Sequence, residues 1–450
     1  MKPFSSCVCT YPPAWLVLAL NTALMPSDAR AQEPPPDAPT PGLSRAVSAP
    51  EAPPEPEPEP EPELTGRIER IDIEGNERTK EVVILRALRT QPGEMLTSGA
   101  TEELKRRLLN LKLFEHVEVR TRQEGDGVAL RIKVEERWTL LPIPMFTSSN
   151  GQWQAGLFLL ESNVFGLHKL FVLGAMAGNR GGNVFSLYKD PSIRGSRWTG
   201  TLFGQYAKLD RERRVRDIVV DEYTDRRLDV SGVLGHQLTP ELNVGAGLFG
   251  IFNRPLRANE DEPAPERSHA QGISAVAEYL GQDFHFFFNE GLFARLNLRQ
   301  GFDLGSGSRD YRQATLTAAY THALFGNHAL TLSGTLEYVD GDSTLDAVLL
   351  GQRTGTRGFT LATLWAEQAA IATLEYQVPL WSPSLATFTA HAFVDAGHVE
   401  WRNTVTRYVA PGAGLRMYLR SVAVPALGLD VTRAPQTREL VVSFAAGLSM

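Results

Sequence analysis

The feature that most restricts this chain is a long series of short segments, from Leu140 to Met450, that alternate apolar and polar residues with no helical stretch among them. Period-two alternation gives a strand one apolar face and one polar face. In "ALTLSGTLEYV" (Ala329–Val339), Leu330, Leu332, Leu336 and Tyr338 point one way, and Thr331, Ser333, Thr335 and Glu337 the other. "TGTLFGQYAKL" (Thr199–Leu209), "GISAVAEYL" (Gly272–Leu280) and "QATLTAAYTHAL" (Gln313–Leu324) repeat the pattern. A soluble sandwich also alternates, but so many segments in series, with nothing to cover either face, favour a closed sheet. Closure removes the free edges and satisfies every backbone group in lipid. The expected fold class for this part is a transmembrane β-barrel of about 16 antiparallel strands, since roughly 310 residues at about ten per tilted strand plus connections allow that many.

The strands trace from "LLPIPMFTS" (Leu140–Ser148) to "LVVSFAAGLSM" (Leu440–Met450). An even count returns both barrel ends to one side of the membrane. Connections should then be short on that side and longer on the other. The charged stretches "DRERRVRDIVVDEYTDR" (Asp210–Arg226) and "RPLRANEDEPAPERSHA" (Arg254–Ala270) read as outer insertions. Mean hydropathy is −0.19 with 42% hydrophobic residues, which looks soluble only because the two barrel faces average out. Beyond the N-terminus no run approaches the ~18 apolar residues of a spanning helix.

The N-terminus reads as a signal peptide over residues 1–31. Lys2 supplies a positive start, "AWLVLALNTALM" (Ala14–Met25) a short apolar core, and "ARA" (Ala29–Ala31) a small-x-small cleavage site. Both cysteines, Cys7 and Cys9, lie inside it, so the expected mature chain uses neither disulfides nor thiol chemistry. Residues 32–63 form a Pro/Glu-rich linker ending in "PPEPEPEPEPE" (Pro53–Glu63). Proline removes donors and the glutamates repel one another, so this segment is expected to be a disordered, extended spacer.

Residues 64–138 read as a small α+β module of order β-α-α-β-β. "RIERIDIEGN" (Arg67–Asn76) alternates as a strand and ends in a Gly-Asn turn. "TKEVVILRAL" (Thr79–Leu88) has helical spacing at Val82, Val83, Leu85 and Leu88, with Thr79 as N-cap. "SGATEELKRRLLNL" (Ser98–Leu111) is a second helix, capped by Ser98 or Thr101, with Leu104, Leu108 and Leu111 on one face. "FEHVEVRTR" (Phe114–Arg122) and "VALRIKVEER" (Val128–Arg137) form a hairpin around Asp126-Gly127.

This module resembles a POTRA domain nearly end to end. The Gly-Asn turn, the Pro-Gly between the helices and "LFEHVEV" leading into the hairpin fall where that family has them. A single copy followed by a barrel over residues 139–450 resembles the BamA-like outer-membrane assembly and translocation superfamily, of the bacterial surface antigen type. Its sharpest motif there is an arginine-glycine-aromatic signature in the sixth outer loop. Here it reads Arg357-Gly358-Phe359, within "GQRTGTRGFTLA" (Gly351–Ala362). The resemblance implies that this loop folds into the lumen and that Arg357 meets acids on the inner wall.

Parity supplies two such acids. Glu375 in "ATLEYQVPL" opposes Leu374, Tyr376, Val378 and Leu380. Asp395 in "FVDAGHV", the counterpart of the family's Phe-x-Asp-x-Gly strand, shares its face with Phe393 and Gly397. The expected lumen lock is Arg357, Gly358, Phe359, Glu375, Asp395 and Gly397, with Arg416 also inward. A guanidinium fork suits carboxylates, and Gly358 and Gly397 leave room for close approach. Two departures from the family pattern are Thr356 in place of valine, and a last residue, Met450, in place of an aromatic, with Phe444 further back.

No G-x-S-x-G, phosphate loop or H-E-x-x-H is present, so no catalytic residue, cofactor or metal is expected and the chain does not read as an enzyme. His391 and His398 fall on opposite faces of one strand and cannot share a metal. Net charge is −7 without a basic stripe, so nucleic acid is not an expected partner. The resemblance implies the cell outer membrane as location, with the POTRA and linker in the periplasm. It implies an unfolded or nascent outer-membrane or secreted protein as client, with membrane lipid and periplasmic accessory proteins as further partners. The alternative is a structural or pore-forming protein in which the POTRA only docks.

Overall fold

The computed structural model describes residues 64–446 except 150–151, 216–217, 258–264, 286, 306, 342–343, 352–353, 360–363, 384–385, 420–424 and 436–437. The expected signal peptide and Pro/Glu-rich linker, and the last four residues of the chain, lie outside the described residues.

The N-terminal module comprises β1 (Gly66–Glu74), α1 (Glu81–Leu88), β2 (Met95–Leu96), α2 (Ala100–Leu109), β3 (Phe114–Glu124) and β4 (Gly127–Glu136). Its sheet runs β2-β1-β4-β3, with β1 and β4 parallel. The order therefore contains one strand more than the expected β-α-α-β-β. β2 pairs Met95 and Leu96 with Arg67 and Gly66, and two residues are too few to show any periodicity. α1 buries Val83, Ile84 and Leu88 against the sheet, while Val82 is 51% exposed and Leu85 only partly packed. The helical period was legible, but its phase depended on how the helix lies on the sheet. α2 buries Leu104 and Leu108, and Leu111 packs on the same core just beyond its end. Neither helix takes a side-chain cap: Lys80 and Gly99 hold the N-cap positions. Thr79 is used elsewhere, as described below.

The barrel begins with β5 (Leu140–Ser149), β6 (Gln152–Val164), β7 (Lys169–Gly178), β8 (Gly181–Asp190) and β9 (Trp198–Val215). It continues through β10 (Ile218–Gln237), β11 (Leu242–Arg257), β12 (Ser268–His285), β13 (Phe288–Phe302), β14 (Tyr311–Leu324) and β15 (His328–Asp340). A two-stranded hairpin, β16 (Val348–Leu350) with β17 (Leu364–Ala366), interrupts the series. It then closes with β18 (Gln368–Trp381), β19 (Ala386–Trp401), β20 (Thr404–Leu419), β21 (Pro425–Arg433) and β22 (Leu440–Ala446). Sixteen antiparallel strands form one closed ring, with β22 against β5. The alternation sets the facing: Leu332, Leu336 and Leu374 are half exposed on the outer, lipid-facing surface, whereas Phe293 and Thr373 are buried inside.

The connections differ from the expected short/long alternation. Asp210–Arg226 is not an inserted loop but mostly paired strand, since β9 and β10 pair from His236↔Trp198 out to Ile218↔Val215, with one register shift between Val219 and Asp221. On this paired stretch Arg211 and Asp225 form a buried ion pair at 2.9 Å. Of Arg254–Ala270, the ends belong to β11 and β12, and residues 258–267 connect them.

The module is fastened to the barrel by the turn between β6 and β7. Lys80 N–H donates to the Gly166 carbonyl (2.8 Å). Asn163 Nδ2 donates to Thr79 Oγ1 (2.9 Å), and Asn163 Oδ1 accepts from the His168 backbone N–H (2.9 Å). Gly166 is required there: its φ is +73°, and a Cβ would sit 2.0 Å from the Arg78 carbonyl oxygen. His168 is buried in the same turn. Burial first, then the nearby Arg86, pushes its imidazole from 6.5 down to about 4, against a hydrogen bond to the Leu111 backbone that raises it. A histidine held neutral in the docked state takes up protons more readily once released. Docking should thus be strongest above about pH 6.5 and weaken as the pH falls toward about 4. Limited proteolysis of the junction across that range checks this, and His168→Gln should flatten the profile.

Candidate functional site

The connection from β15 to β18 is the sixth on the side of the barrel distal to the module. Its base is pinned by Arg309, whose Nε donates to Asp346 Oδ2 at 2.9 Å with both side chains buried. Beyond the β16–β17 hairpin the loop turns into the lumen. Its tip, 354–359, is closed by Phe359 N–H donating to the Thr356 carbonyl (3.1 Å). Arg357 there is only 5% exposed. From Gly355 to Phe359, where a solvated turn could have been, the chain is buried.

Four adjacent strands receive it. From β19, Asp395 accepts three bonds from Arg357: Nη2 to Oδ1 (2.7 Å), Nε to Oδ2 (3.1 Å) and the backbone N–H to Oδ2 (3.1 Å). Thr373 of β18 adds a hydroxyl donor to Oδ1 at 2.9 Å. Also from β18, Glu375 accepts Arg357 Nη1 at 2.8 Å and both terminal nitrogens of Arg416 from β20, at 2.5 and 3.1 Å. From β21, Asp430 Oδ2 lies 3.6 Å from Arg357 Nη1, and its Oδ1 meets His391 Nε2 at 2.9 Å. The guanidinium also lies over the Phe393 ring, 3.2 Å from its centroid. Two arginines thus face three carboxylates with a histidine beside them.

The remaining motif residues shape the fit. Phe359 meets the Tyr408 ring edge-on at 4.7 Å, and Tyr408 Oη donates to the Gly355 carbonyl at 2.5 Å. Gly397 lies directly across from Tyr408 in the β19–β20 register, and a Cβ there would come within 2.5 Å of that ring. Gly358 is enclosed by Pro435 and Ala410, at 2.9 and 3.0 Å from where its Cβ would be. The structure therefore brings Arg357, Gly358, Phe359, Glu375, Asp395, Gly397 and Arg416 into one cluster.

Sequence reasoning missed Asp430, Tyr408, Thr373 and the stacking role of Phe393. Asp430 carried a signal, since it sits on the polar parity between Leu429 and Val431. Tyr408 carried none, because its role depends on the register of β20 against β19. His391 faces inward and His398 contacts Arg407 instead. Among the described residues no group of three His, Cys, Asp or Glu side chains is placed to hold a metal.

Removing one partner from a buried pair strands the other charge, at about 3–5 kcal/mol. Arg357→Ala should therefore lower barrel stability by that order, read as a drop in the temperature at which the folded band disappears in heat-modifiability gels. Arg357→Met combined with Asp395→Leu should recover part of the loss, because no unpaired charge then remains at that position.

Comparison with known proteins gives the family. Residues 66–137 match the POTRA family described as surface antigen variable number repeat, and residues 163–422 match the Omp85 superfamily domain. The outer membrane protein assembly factor BamA of Neorickettsia risticii is 29% identical over 119 residues, 26% of this chain and 16% of that protein. BamA of Nitratidesulfovibrio vulgaris is 28% identical over 149 residues, 32% of this chain and 18% of that protein. The match thus spans less than a fifth of either relative's length. Among solved structures, CdiB from Escherichia coli aligns with a TM-score of 0.61 at 14% identity, over 85% of this chain and 76% of that one. BamA from Haemophilus ducreyi lacking POTRA domains 1–3 aligns at 0.56 and 17% identity, over 84% of both chains. These likenesses concern the fold. The Omp85 match covers more than half of the chain, which therefore belongs to the Omp85 superfamily, as a BamA-like outer-membrane β-barrel with its POTRA domain in the periplasm.

Proposed function

We propose that this protein assembles or translocates other proteins at the outer membrane, with its POTRA domain receiving the client and the barrel releasing it at the seam between β5 and β22. The seam carries the reading. Among the described residues β22 and β5 share four register pairs, Phe146↔Ala446 to Ser149↔Ser443, against sixteen between β19 and β20. Each ladder hydrogen bond contributes about 0.5–1.5 kcal/mol net, so among the described residues this joint is the least costly to part. β5 also carries Pro142 and Pro144, which cannot donate to any neighbour. On the periplasmic side, β3 is the long edge of the POTRA sheet, and an extended client segment can add to such an edge. With no ATP in the periplasm, strand exchange and folding of the client supply the drive.

The buried tip of loop six supports protein handling over a passive pore, since it fills part of the lumen with chain. The BamA relatives are assembly factors by name, which favours insertion. A cysteine pair tests the seam, because the mature chain is expected to have no other thiols. Ser148→Cys with Phe444→Cys, register partners across the joint, should abolish function when oxidised and restore it on reduction, with the barrel still in the membrane. Undiminished function in the oxidised state would refute release at the seam. Depletion should remove specific barrels, or one secreted protein, from the surface proteome; a change in permeability alone would support the pore.

A further inference from the structure

Between the POTRA helices and the periplasmic rim of the barrel lies a cavity of about 410 Å³. Arg86 and Arg89 enter it from α1 and its C-cap, and Arg107 from α2. Lys189 enters from the end of β8, and Arg197 from the turn before β9. No carboxylate is among its lining residues. Some of this charge is answered from outside the wall: Arg107 bonds Glu103, Lys189 pairs with Glu278 at 3.2 Å, and Asp190 acts on Arg86. Five cations facing one cavity still exceed what these acids offset. His168 also lines the cavity, and its buried Nε2 has no hydrogen-bond partner. The walls are fixed relative to one another by the Thr79–Asn163 and Lys80–Gly166 contacts. Lys189 lines the lumen cavity as well, so the two cavities share that side chain as a common wall.

A vestibule of this kind attracts an extended polyanion, and the chain carries one. Glu51, Glu55, Glu57, Glu59, Glu61 and Glu63 are six carboxylates within thirteen residues, directly before the described fold begins at Leu64. We infer that the vestibule is a docking site for an acidic extended peptide and that its resident occupant is the N-terminal part, from Glu51, of this chain's own Glu51–Glu63 tract.

Three physical points support that occupant. Charge complementarity is the first: the tract's carboxylates repel one another, and the vestibule offers them cations. Reach is the second. At a polyproline rise of about 3.1 Å per residue Glu51 can stand about 40 Å from Leu64, beyond the roughly 30 Å of the nine β1 residues that lead from Leu64 to the junction, so the N-terminal glutamates are the ones that reach the vestibule. Tethering is the third, because a short covalent link gives an effective concentration of order millimolar. The tract would then act as a built-in competitor for any acidic segment arriving at the vestibule.

The test uses the chain from Gln32 onward. Ala52→Cys with Leu238→Cys, the latter on the vestibule rim, should form an intramolecular disulfide at least tenfold faster than Ala52→Cys with Asn327→Cys, in the exposed turn between β14 and β15 on the same rim. Replacing the six glutamates by glutamine, or adding about 1 M salt to shorten the screening length to about 3 Å, should slow it tenfold. Equal rates for the two pairs, or a rate indifferent to both changes, would overturn the inference. In the second measurement a labelled Glu51–Glu63 peptide is added to the six-glutamine protein. It should bind at least tenfold more tightly than to the native chain, and Arg86→Gln with Arg197→Gln should abolish the difference. Equal binding to both chains would overturn the assignment. So would saturation of the cavity by inorganic phosphate or anionic lipid vesicles without any peptide binding, which would make it a phosphate site.

Discussion

Everything in this protein follows from the demand that each backbone N–H and C=O in the lipid find its partner within the sheet. An open sheet in hydrocarbon would leave a row of such groups unpaired, at several kcal/mol each. The sixteen strands therefore close on themselves, and an even number brings the start of β5 and the end of β22 to the same periplasmic rim. The same demand makes the last joint informative. A ring is as closed as its shortest ladder, and among the described residues that ladder is β22 on β5, a strand with two prolines.

Closure creates a second problem, an interior lined by polar side chains that must be matched or hydrated. The loop-six tip resolves it along β18–β21. One guanidinium reaches Asp395 and Glu375, a second braces Glu375 from β20, and His391 holds Asp430. Because each carboxylate is engaged by more than one donor, the four strands are tied together from inside as well as through their ladders. Buried ion pairs are weak stabilisers relative to an apolar core. What this cluster supplies is position: the loop can enter in one way only, with Phe359 against Tyr408 and glycines wherever a Cβ would collide.

The periplasmic end is organised differently. There the POTRA domain is held by a few short backbone and amide contacts around Gly166, and charge is left unbalanced in the cavity beside them. Burial of His168 next to Arg86 and Lys189 is a local symptom of the same positive field. The acidic tract before Leu64, which looks like a bare spacer when read alone, gains a physical counterpart only once that cavity is seen.

The sequence by itself determined the period, and hence the faces. Alternation from Leu140 onward was enough for a sixteen-stranded barrel, for Leu332 and Leu374 outside, and for Glu375 and Asp395 inside on the wall that the Arg357 motif addresses. These are local properties, since a strand's parity is carried by its own side chains. Tertiary structure alone decided what depends on pairing distant segments. It set the β19–β20 register that seats Tyr408 over Gly397, the hairpin that absorbs Asp210–Arg226, and the two-residue β2. It also turned Thr79 from an expected helix cap into a barrel contact. Register and docking are fixed by hydrogen bonds and excluded volume between residues far apart in the chain, and no window of sequence contains both partners.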